Sequence, residues 1–319
     1  MITLQKKTRM VFLLIFIAMI FVLPKFTSQY FSIFLYQLFL YMVLAVSYDI
    51  LGGYAGYINL GHAYFFGIGG YTFAIMANKG FGVIGSMFGG MLAVLCFCLL
   101  ISYPFFRLRG AYFALANLGL IILLSLLAHN MEWLTGGANG LFIPIPYALS
   151  LIYYSSLVLC LLTILLSYWV SKSRFGLALV SIRADEDAAK SFGINAYAYK
   201  LQAMILGALP ASLAGGIFAW ALAYVNPAAL LGVEISFMAV TMAMLGGTGF
   251  FVGPILGCLF ISVAQELLWT KIPYLHLAVY GAMLILIGLY MPGGVTRTKP
   301  FRKALLRLGL SERMYWFES

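Results

Sequence analysis

The sequence predicts an all-α integral membrane protein with about ten transmembrane helices, in a range of roughly eight to ten. Hydrophobic residues make up 64% of its 319 positions and charged residues only 9%, whereas soluble domains carry about a quarter charged residues. The mean hydropathy is +1.01. Since one soluble domain cannot bury so many helix-length apolar segments, most are predicted to lie in lipid, where a helix satisfies its own backbone hydrogen bonds.

Apolar segments of helix length follow one another along the chain, and each is predicted to form one span. The first follows a basic flank, as in a signal peptide, but no small-x-small cleavage site comes after it, so we expect a retained span. The third and eighth segments are short and rich in glycine. The ten segments are residues 10–26, 30–51, 60–78, 82–105, 110–130, 151–171, 202–224, 236–249, 251–270 and 274–291.

The basic residues predict the orientation of these spans. If the N-terminus is cytoplasmic, ten spans place 16 of the 19 Lys and Arg residues on the cytoplasmic side, in agreement with the positive-inside rule. The N- and C-termini are then both cytoplasmic. The net charge of +10 therefore reflects topology, and no basic face with interleaved aromatic residues points to nucleic acid.

The chain is predicted to form a single transmembrane domain over residues 1–296. Its largest cytoplasmic loop is 172–200, and the glycines and prolines of the outer loop 131–150 predict turns rather than a further domain. A basic cytoplasmic tail follows at 297–319. The tail suits either a short amphipathic helix on membrane lipid or a simple topology signal, and its sequence favours neither.

Two Gly-rich segments, 49–76 and 245–260, suggest an internal repeat. In each, Leu-Gly-Gly follows one span and leads into another. Glycines four residues apart, such as Gly249 and Gly253, let helices approach closely. Helix breaks at matching places in two halves commonly mark a transport site. We therefore expect an inverted repeat, in which the second span corresponds to the seventh.

Residues 171–200 carry five basic and three acidic side chains in a chain that has few charges elsewhere. Within this block, 184–193 reads ADEDAAKSFG. Acids early and Lys190 late suit the helix dipole, and Gly193 suits a C-cap. We expect a short cytoplasmic surface helix between spans six and seven. The side chains displayed to water are expected to be Arg183, Asp185, Glu186, Asp187 and Lys190.

Three interpretations of this helix compete. A solvated loop between two spans needs only a few residues, and this block is much longer, so a docking site for a soluble protein is favoured. The Asp-Glu-Asp run also has the D-x-D spacing of some metal-dependent transferases. A divalent metal needs more oxygen ligands than the cytoplasmic side offers, so we expect neither a metal site nor enzyme activity.

Polar side chains at membrane depth are costly and commonly mark a transport path. Asn59, His62 and Tyr64 flank a predicted helix break at Gly61, where free backbone groups could meet an ammonium or a carboxylate, and Asn117 is a further polar residue at membrane depth. His62 and Asn117 also suit plain interhelical hydrogen bonds, and for His62 that is the favoured interpretation. The candidate path residues are Asn59, Gly61, His62, Tyr64 and Asn117.

Acids within the predicted spans are scarce. Asp49 and Glu266 are the only two, whereas ion-coupled carriers commonly use a charged residue near the membrane midplane. An ion-coupled secondary transporter is therefore a disfavoured alternative.

Six sequence blocks, in this order, resemble the permease family of bacterial branched-chain amino-acid ABC importers, the LivH/LivM type, and within it the LivM-like branch. Any one glycine cluster would be weak, but six in the right order make the match specific. The resemblance covers about residues 40–296. The blocks are LGGYAGYINLGHAYFFGIGGYT, RLRGAYFALANLG with LTGGANGL, SRFGLALVSIRADEDAAKSFGINAYAYKL, LAGGIFA, LGGTGFFVGPILG and LIGLYMPGGV.

The resemblance implies that the polar block is a coupling helix, which sits in a groove of a separate ATP-binding subunit. Asp187-Ala188-Ala189 followed by Gly193 resembles the importer signature Glu-Ala-Ala, three residues, Gly, with Asp in the first position. The residues implied to couple this chain to the ATP-binding subunit are Arg183, Asp185, Glu186, Asp187, Ala188, Ala189 and Gly193.

The resemblance also implies what surrounds this chain. ATP and magnesium would be bound by two ATP-binding subunits, and the sequence itself has no Gly-x4-Gly-Lys-Ser/Thr phosphate loop. A second related permease and an extracytoplasmic substrate-binding protein would complete an importer in the bacterial inner membrane. The implied cargo is Leu, Ile or Val, with urea or a short-chain amide as the nearest alternative.

Overall fold

The computed structural model describes residues 28–271 continuously, together with residues 21, 24, 282, 285 and 294–297. The described chain is mainly helical, and six of its helical segments have the length and apolar composition needed to cross a membrane. The prediction of an all-helical, multi-pass membrane protein is confirmed to that extent. The six segments are Gln29–Tyr54, Val83–Phe105, Ala111–Asn130, Leu149–Lys172, Ala196–Leu222 and Pro227–Gly246.

We number the described helices and strands in chain order. The helices are α1 (Gln29–Asp49), α2 (Ala63–Asn78), α3 (Val83–Phe105), α4 (Ala111–Asn130), α5 (Glu132–Thr135), α6 (Leu149–Lys172), α7 (Arg174–Ala184), α8 (Glu186–Ser191), α9 (Ala196–Leu222), α10 (Pro227–Leu230), α11 (Val233–Gly246) and α12 (Val252–Lys271). The strands are β1 (Leu141–Phe142) and β2 (Tyr224–Val225). A π-helical turn at Ile50–Tyr54 continues α1, and 3-10 turns lie at Gly137–Asn139 and Val295–Arg297.

Helix α1, which corresponds to the predicted second span 30–51, ends in a segment that is not helical. Helix α1 is capped by Ser28, whose hydroxyl accepts a hydrogen bond from the backbone N–H of Phe31. It continues through the π-helical turn, and the chain is then non-helical until α2 begins at Ala63. We call residues 55–62 the α1–α2 break. Gly56 within it has a φ of +75°, a conformation that glycine adopts without steric cost.

The centre of the bundle is the 27-residue helix α9, which packs against α1, α2 and α3. Glycines make the approach of α2 and α9 close. A Cβ at Gly69 would lie 2.6 Å from the Cα of Ser212, and a Cβ at Gly215 would collide with the carbonyl oxygen of Phe66. The small side chains therefore bring the two backbones together, as in other membrane helix pairs.

One end of the bundle is closed by backbone pairing. Strand β1 pairs with β2 in antiparallel fashion, with Leu141 opposite Val225. The indole N–H of Trp220, near the end of α9, donates to the carbonyl oxygen of Pro146 across 3.1 Å. We call this end, which carries β1 and β2, the strand end. The opposite end carries α7 and α8, and we call it the polar end.

The predicted spans correspond to described helices over the middle of the chain. The predicted span 60–78 appears as the 16-residue helix α2, and 236–249 appears as α11, which is shorter than a full span unless α10 is included. The predicted spans 10–26 and 274–291 lie almost wholly outside the described residues, as does the basic tail. The total of ten spans and the inverted repeat stay predictions.

Candidate functional site

The polar end carries the short helix that the sequence predicts. Its observed bounds are Glu186–Ser191, inside the predicted range 184–193. The carboxylate of Asp185 caps it by accepting hydrogen bonds of 2.9 Å from the backbone N–H groups of Asp187 and Ala188. Gly193 has a φ of +83°, as expected for the glycine that ends such a helix. The prediction of a capped helix here is confirmed.

Helix α8 has one anchored face and one open face. Ala189 is buried and packs with Ile182 and Ala196 in a small apolar cluster. On the other side, Ala188 and Asp187 are exposed. The carboxylate of Asp187 makes a two-armed ion pair with Arg109, at 3.0 and 2.9 Å. The open face is therefore polar and accessible, and its ion pair connects α8 to the turn that precedes α4.

Glu186 does not point into water as the sequence suggested. Its side chain is only 12% exposed and turns towards the α1–α2 break. One carboxylate oxygen accepts a hydrogen bond from the phenol of Tyr57, across 2.5 Å. The other lies 3.0 Å from the ammonium groups of both Lys190 and Lys200. The helix dipole explains why the sequence has acids here, but it does not distinguish an acid that faces solvent from one that faces a buried lysine.

These contacts control the protonation of the two acids on α8. Burial raises the pKa of Glu186, but the hydrogen bonds from Tyr57, Lys190 and Lys200 outweigh it and bring the pKa down to about 2. The guanidinium of Arg109 and the ammonium of Lys190 hold the pKa of Asp187 at about 2. Both carboxylates are therefore ionised at neutral pH.

Lys200 is the functional candidate that sequence reasoning missed. It is the single basic residue of the apolar helix α9. A lysine near a helix end is normally exposed, but this side chain is only 2% exposed. The ammonium donates to the phenol oxygen of Tyr57 across 3.0 Å and lies 4.6 Å from the centre of that ring and 5.3 Å from the centre of the Phe106 ring. Only the tertiary fold distinguishes this lysine from an ordinary basic residue at a span end.

Arg183 makes a second connection to the same break. Its guanidinium donates to the backbone carbonyl oxygen of Gly53, in the π-helical turn, across 2.5 Å. Between this contact and the Glu186–Tyr57 contact lies a cavity of about 410 Å³. The cavity is lined by Gly52, Gly56, Tyr57, Ile182, Arg183 and Glu186, among others.

Four of the five candidate path residues form one buried network. The phenol of Tyr64 donates to the side-chain oxygen of Asn117 across 2.6 Å and accepts from the side-chain nitrogen of Asn59 across 3.2 Å. The Asn59 oxygen in turn accepts from the backbone N–H of Gly61 across 2.9 Å. A Cβ at Gly61 would collide with the backbone carbonyl of Asn117. The break is therefore held against α4 by paired polar groups.

His62 lies outside this network. Its Nε2 is 3.0 Å from the hydroxyl of Ser47 in α1, and its ring packs edge-on against Tyr48 and Phe65. The interhelical hydrogen bond expected for His62 is confirmed. A role of any of the five residues in a substrate path stays a prediction.

Asp49 joins the two Gly-rich segments. It is fully buried, and one of its carboxylate oxygens accepts a hydrogen bond from the backbone N–H of Gly249 across 2.8 Å. The other oxygen has no hydrogen-bond partner within the part of the chain that the structure describes. The segments 49–76 and 245–260, which looked similar in sequence, therefore meet in the fold.

A family model described as the branched-chain amino acid transport system permease component matches residues 30–288. That range is most of the chain. The chain belongs to this family. The resemblance drawn from the sequence blocks is thereby confirmed, and the chain is a permease component of an ABC-type transport system and a multi-pass membrane protein.

Individual members of the permease family show how distant the relationship is. The high-affinity branched-chain amino acid transport system permease protein LivM of Escherichia coli K12 is 27% identical over 290 residues, 80% of this chain and 67% of LivM. LivH of the same strain is 26% identical over 306 residues, 84% of this chain and 97% of LivH. The autoinducer 2 import system permease protein LsrC of Salmonella paratyphi B is 25% identical over 208 residues, 63% of this chain and 56% of LsrC. No solved structure matches the chain.

Proposed function

We propose that this chain is the membrane-spanning permease subunit of an ATP-driven importer of the branched-chain amino acids Leu, Ile and Val. The observation that carries the proposal is the capped helix α8 at the polar end, whose open face presents Asp187 and Ala188. A short helix that is anchored on one side and open on the other suits docking into a groove of a soluble motor subunit. The family membership of the chain supports the same assignment.

The choice of cargo rests on the names of the relatives. LivM and LivH are named for branched-chain amino acid transport, whereas LsrC is named for import of autoinducer 2. The matches to LivM and LivH cover more of this chain than the match to LsrC does, which favours Leu, Ile and Val. Urea or a short-chain amide is the nearest alternative cargo.

The second candidate function, an ion-coupled carrier, has less support. Its two candidate acids are each engaged in part: one carboxylate oxygen of Asp49 accepts from the backbone of Gly249, and Glu266 accepts from the phenol of Tyr30. A carrier also has no need of a docking helix at the polar end. The ATP-driven importer therefore fits the described residues better.

In the proposed assembly this chain moves cargo and leaves ATP hydrolysis to others. Two ATP-binding subunits would hold ATP and magnesium, and one of them would receive α8 in its groove. A second, related permease would complete the membrane part in the bacterial inner membrane, with the polar end and both termini of this chain facing the cytoplasm. Ten spans with an inverted repeat fit this arrangement.

A substrate-binding protein would dock at the strand end. The candidate docking segments are the predicted outer loop 131–150 and residues 225–234, which directly follow the predicted span 202–224. Both contribute to one structure there, because β1 and β2 pair and the phenol of Tyr224 donates to the carbonyl oxygen of Asn139 across 3.0 Å. We expect an exchange of both segments for those of another permease to abolish uptake, and unchanged uptake would contradict this docking site.

The first test is to tag the full chain, extract it in several mild detergents and identify the proteins that copurify. We expect ATP-binding subunits and a second permease, and uptake assays with labelled Leu, urea and an amide then identify the cargo. The same copurification is repeated with the variant Asp187→Lys. This variant reverses a charge on the open face of α8, and we expect it to release the ATP-binding subunits. A single species from every detergent, with uptake that needs no ATP, would contradict the proposal.

A further inference from the structure

The strongest unassigned feature is the buried cluster of Lys200, Glu186 and Tyr57. Three segments that are distant in sequence meet here: helix α9, helix α8 and the α1–α2 break. Lys200 donates to Glu186 and to Tyr57, and Tyr57 donates to Glu186. Each of the three side chains therefore contacts the other two, and the cluster is a closed triangle of hydrogen bonds.

The cluster stabilises the charged ammonium of Lys200 in a buried position. Lys200 is 2% exposed and Glu186 12%. A buried ammonium without partners would be very costly, and here it has a carboxylate, a phenol oxygen and two aromatic faces, those of Tyr57 and Phe106. Breaking one member leaves a buried charge incompletely paired, so the three groups are expected to move together.

Among the described residues, the cluster connects the polar end to the α1–α2 break. The hydrogen bond from Arg183 to the carbonyl oxygen of Gly53 connects the polar end to the π-helical turn. The cavity of about 410 Å³ beside them is lined by residues of α7, α8, the π-helical turn and the break. The cavity leaves room for α8 to move relative to the break. The hydrogen bonds determine which residues of the break move with α8.

We propose that Tyr57 and Lys200 are positioning residues that transmit movement of α8 to the α1–α2 break, an inference that rests on the proposed function. When the ATP-binding subunits displace α8, Glu186 pulls Tyr57 and Lys200 with it. Tyr57 is part of the same break as Asn59 and Gly61, so its displacement changes the segment where the candidate path residues lie. Coupling thus passes through side chains as well as through the loop that connects α8 to α9.

The test compares Tyr57→Phe with the control Tyr197→Phe in the complete transporter in vesicles. Tyr57→Phe removes the bridging hydroxyl and keeps the ring on Lys200. Tyr197, like Tyr57, packs its ring against Phe106. Tyr197→Phe also removes one hydroxyl, but that hydroxyl is hydrogen-bonded to Ser102 rather than to Glu186. Substrate uptake and ATP hydrolysis are measured together for each. We expect Tyr57→Phe to lower the uptake per ATP hydrolysed about tenfold or more, because tenfold is the low end of the effect of one hydrogen bond to a charged group, and Tyr197→Phe to leave it unchanged.

A double variant checks that the effect passes through Glu186. If Tyr57→Phe and Glu186→Gln act on the same linkage, the double variant loses no more coupling than the worse single variant. Glu186→Gln keeps the side-chain shape, so it decides the question if Tyr57→Phe fails to assemble. An unchanged ratio of uptake to ATP hydrolysis in the assembled variant, or an equal loss in the Tyr197→Phe control, would overturn the inference.

Failure of the inference and failure of the proposed function are separable. If the unaltered chain copurifies with ATP-binding subunits and shows ATP-driven uptake, the proposed function stands whatever Tyr57→Phe does. If the unaltered chain shows neither, the proposed function itself fails and the inference fails with it.

Discussion

The carboxylate of Asp49 accepts a hydrogen bond from the backbone N–H of Gly249 across 2.8 Å, although 200 positions separate the two residues. Asp49 precedes the π-helical turn that continues α1, and Gly249 lies in the turn between α11 and α12. Single-turn π-helical segments occur frequently at functional sites. This contact therefore joins two irregular segments, each of which ends a span.

Gly53 is expected to be essential for that junction. In Gly53→Ala, the new Cβ would collide with the Asp49 carboxylate and lie 2.5 Å from the backbone nitrogen of Gly249. Overpacking of this kind costs about 1–3 kcal/mol of stability. The control is Gly119→Ala in α4, where nothing lies within 4 Å of the added Cβ. Thermal unfolding in one detergent should show a lower midpoint for Gly53→Ala only, and equal midpoints would contradict the close approach.

The cap of α8 is expected to matter for assembly more than the charge of Asp185 does. Asp185→Ala removes the acceptor for two backbone N–H groups and should destabilise the helix by about 0.5–2 kcal/mol. Asp185→Asn removes the charge and keeps a capping oxygen. We expect the yield of copurified ATP-binding subunits to fall for Asp185→Ala and to be nearly normal for Asp185→Asn. Equal losses in the two variants would show that the charge itself is recognised.

Removing the hydroxyl of Tyr64 distinguishes a structural role of this side chain from a role in the substrate path. Tyr64→Phe leaves the side chains of Asn59 and Asn117 without a shared partner, and an unsatisfied buried polar group costs about 1–3 kcal/mol. The amount of folded protein should therefore fall. The substrate-path prediction further requires a higher KM for uptake after correction for the amount of folded transporter. An unchanged KM would contradict it.

The pH dependence of stability should report the contacts of Glu186. Its pKa is about 2 in the folded chain, below the ordinary value of 4.5, so the carboxylate stabilises the fold above pH 4.5 and this contribution is lost as the pH falls towards 2. We expect the difference in unfolding midpoint between the unaltered chain and Glu186→Gln to be constant from about pH 5 to 8 and to shrink below pH 4.5. A difference that changes within the neutral range would contradict the ionised cluster.

Local patterns predicted the helices well because helix ends depend on nearby residues. The predicted span 82–105 is observed as Val83–Phe105, and 151–171 as Leu149–Lys172. The early acids and Gly193 likewise predicted α8, since the cap of Asp185 and the positive φ of Gly193 act within one or two turns.

The site was less predictable because its contacts are distant in sequence. Glu186 was expected to face water, and it instead meets Tyr57, 129 positions away. Lys200 looked like one more basic residue near a span end, and nothing in its neighbours indicates that 143 positions separate it from its phenol partner. The network of Tyr64 and Asn117 was predicted only as a set of polar residues at membrane depth, because their pairing depends on how α2 and α4 pack.

Both ends of α9 are held by side-chain hydrogen bonds, and these two attachments limit how far the helix can tilt. Trp220 is tied to the strand end, and Lys200 is tied to Glu186 and Tyr57. Twenty helical residues span about 30 Å. If the part of α9 between Lys200 and Trp220, which includes Pro210, pivots as one unit about Trp220, a rotation of about 5° carries Lys200 sideways by about 2.6 Å. Hydrogen bonds do not stretch that far, so α9 has an angular tolerance of only a few degrees before it either drags α8 along or releases it.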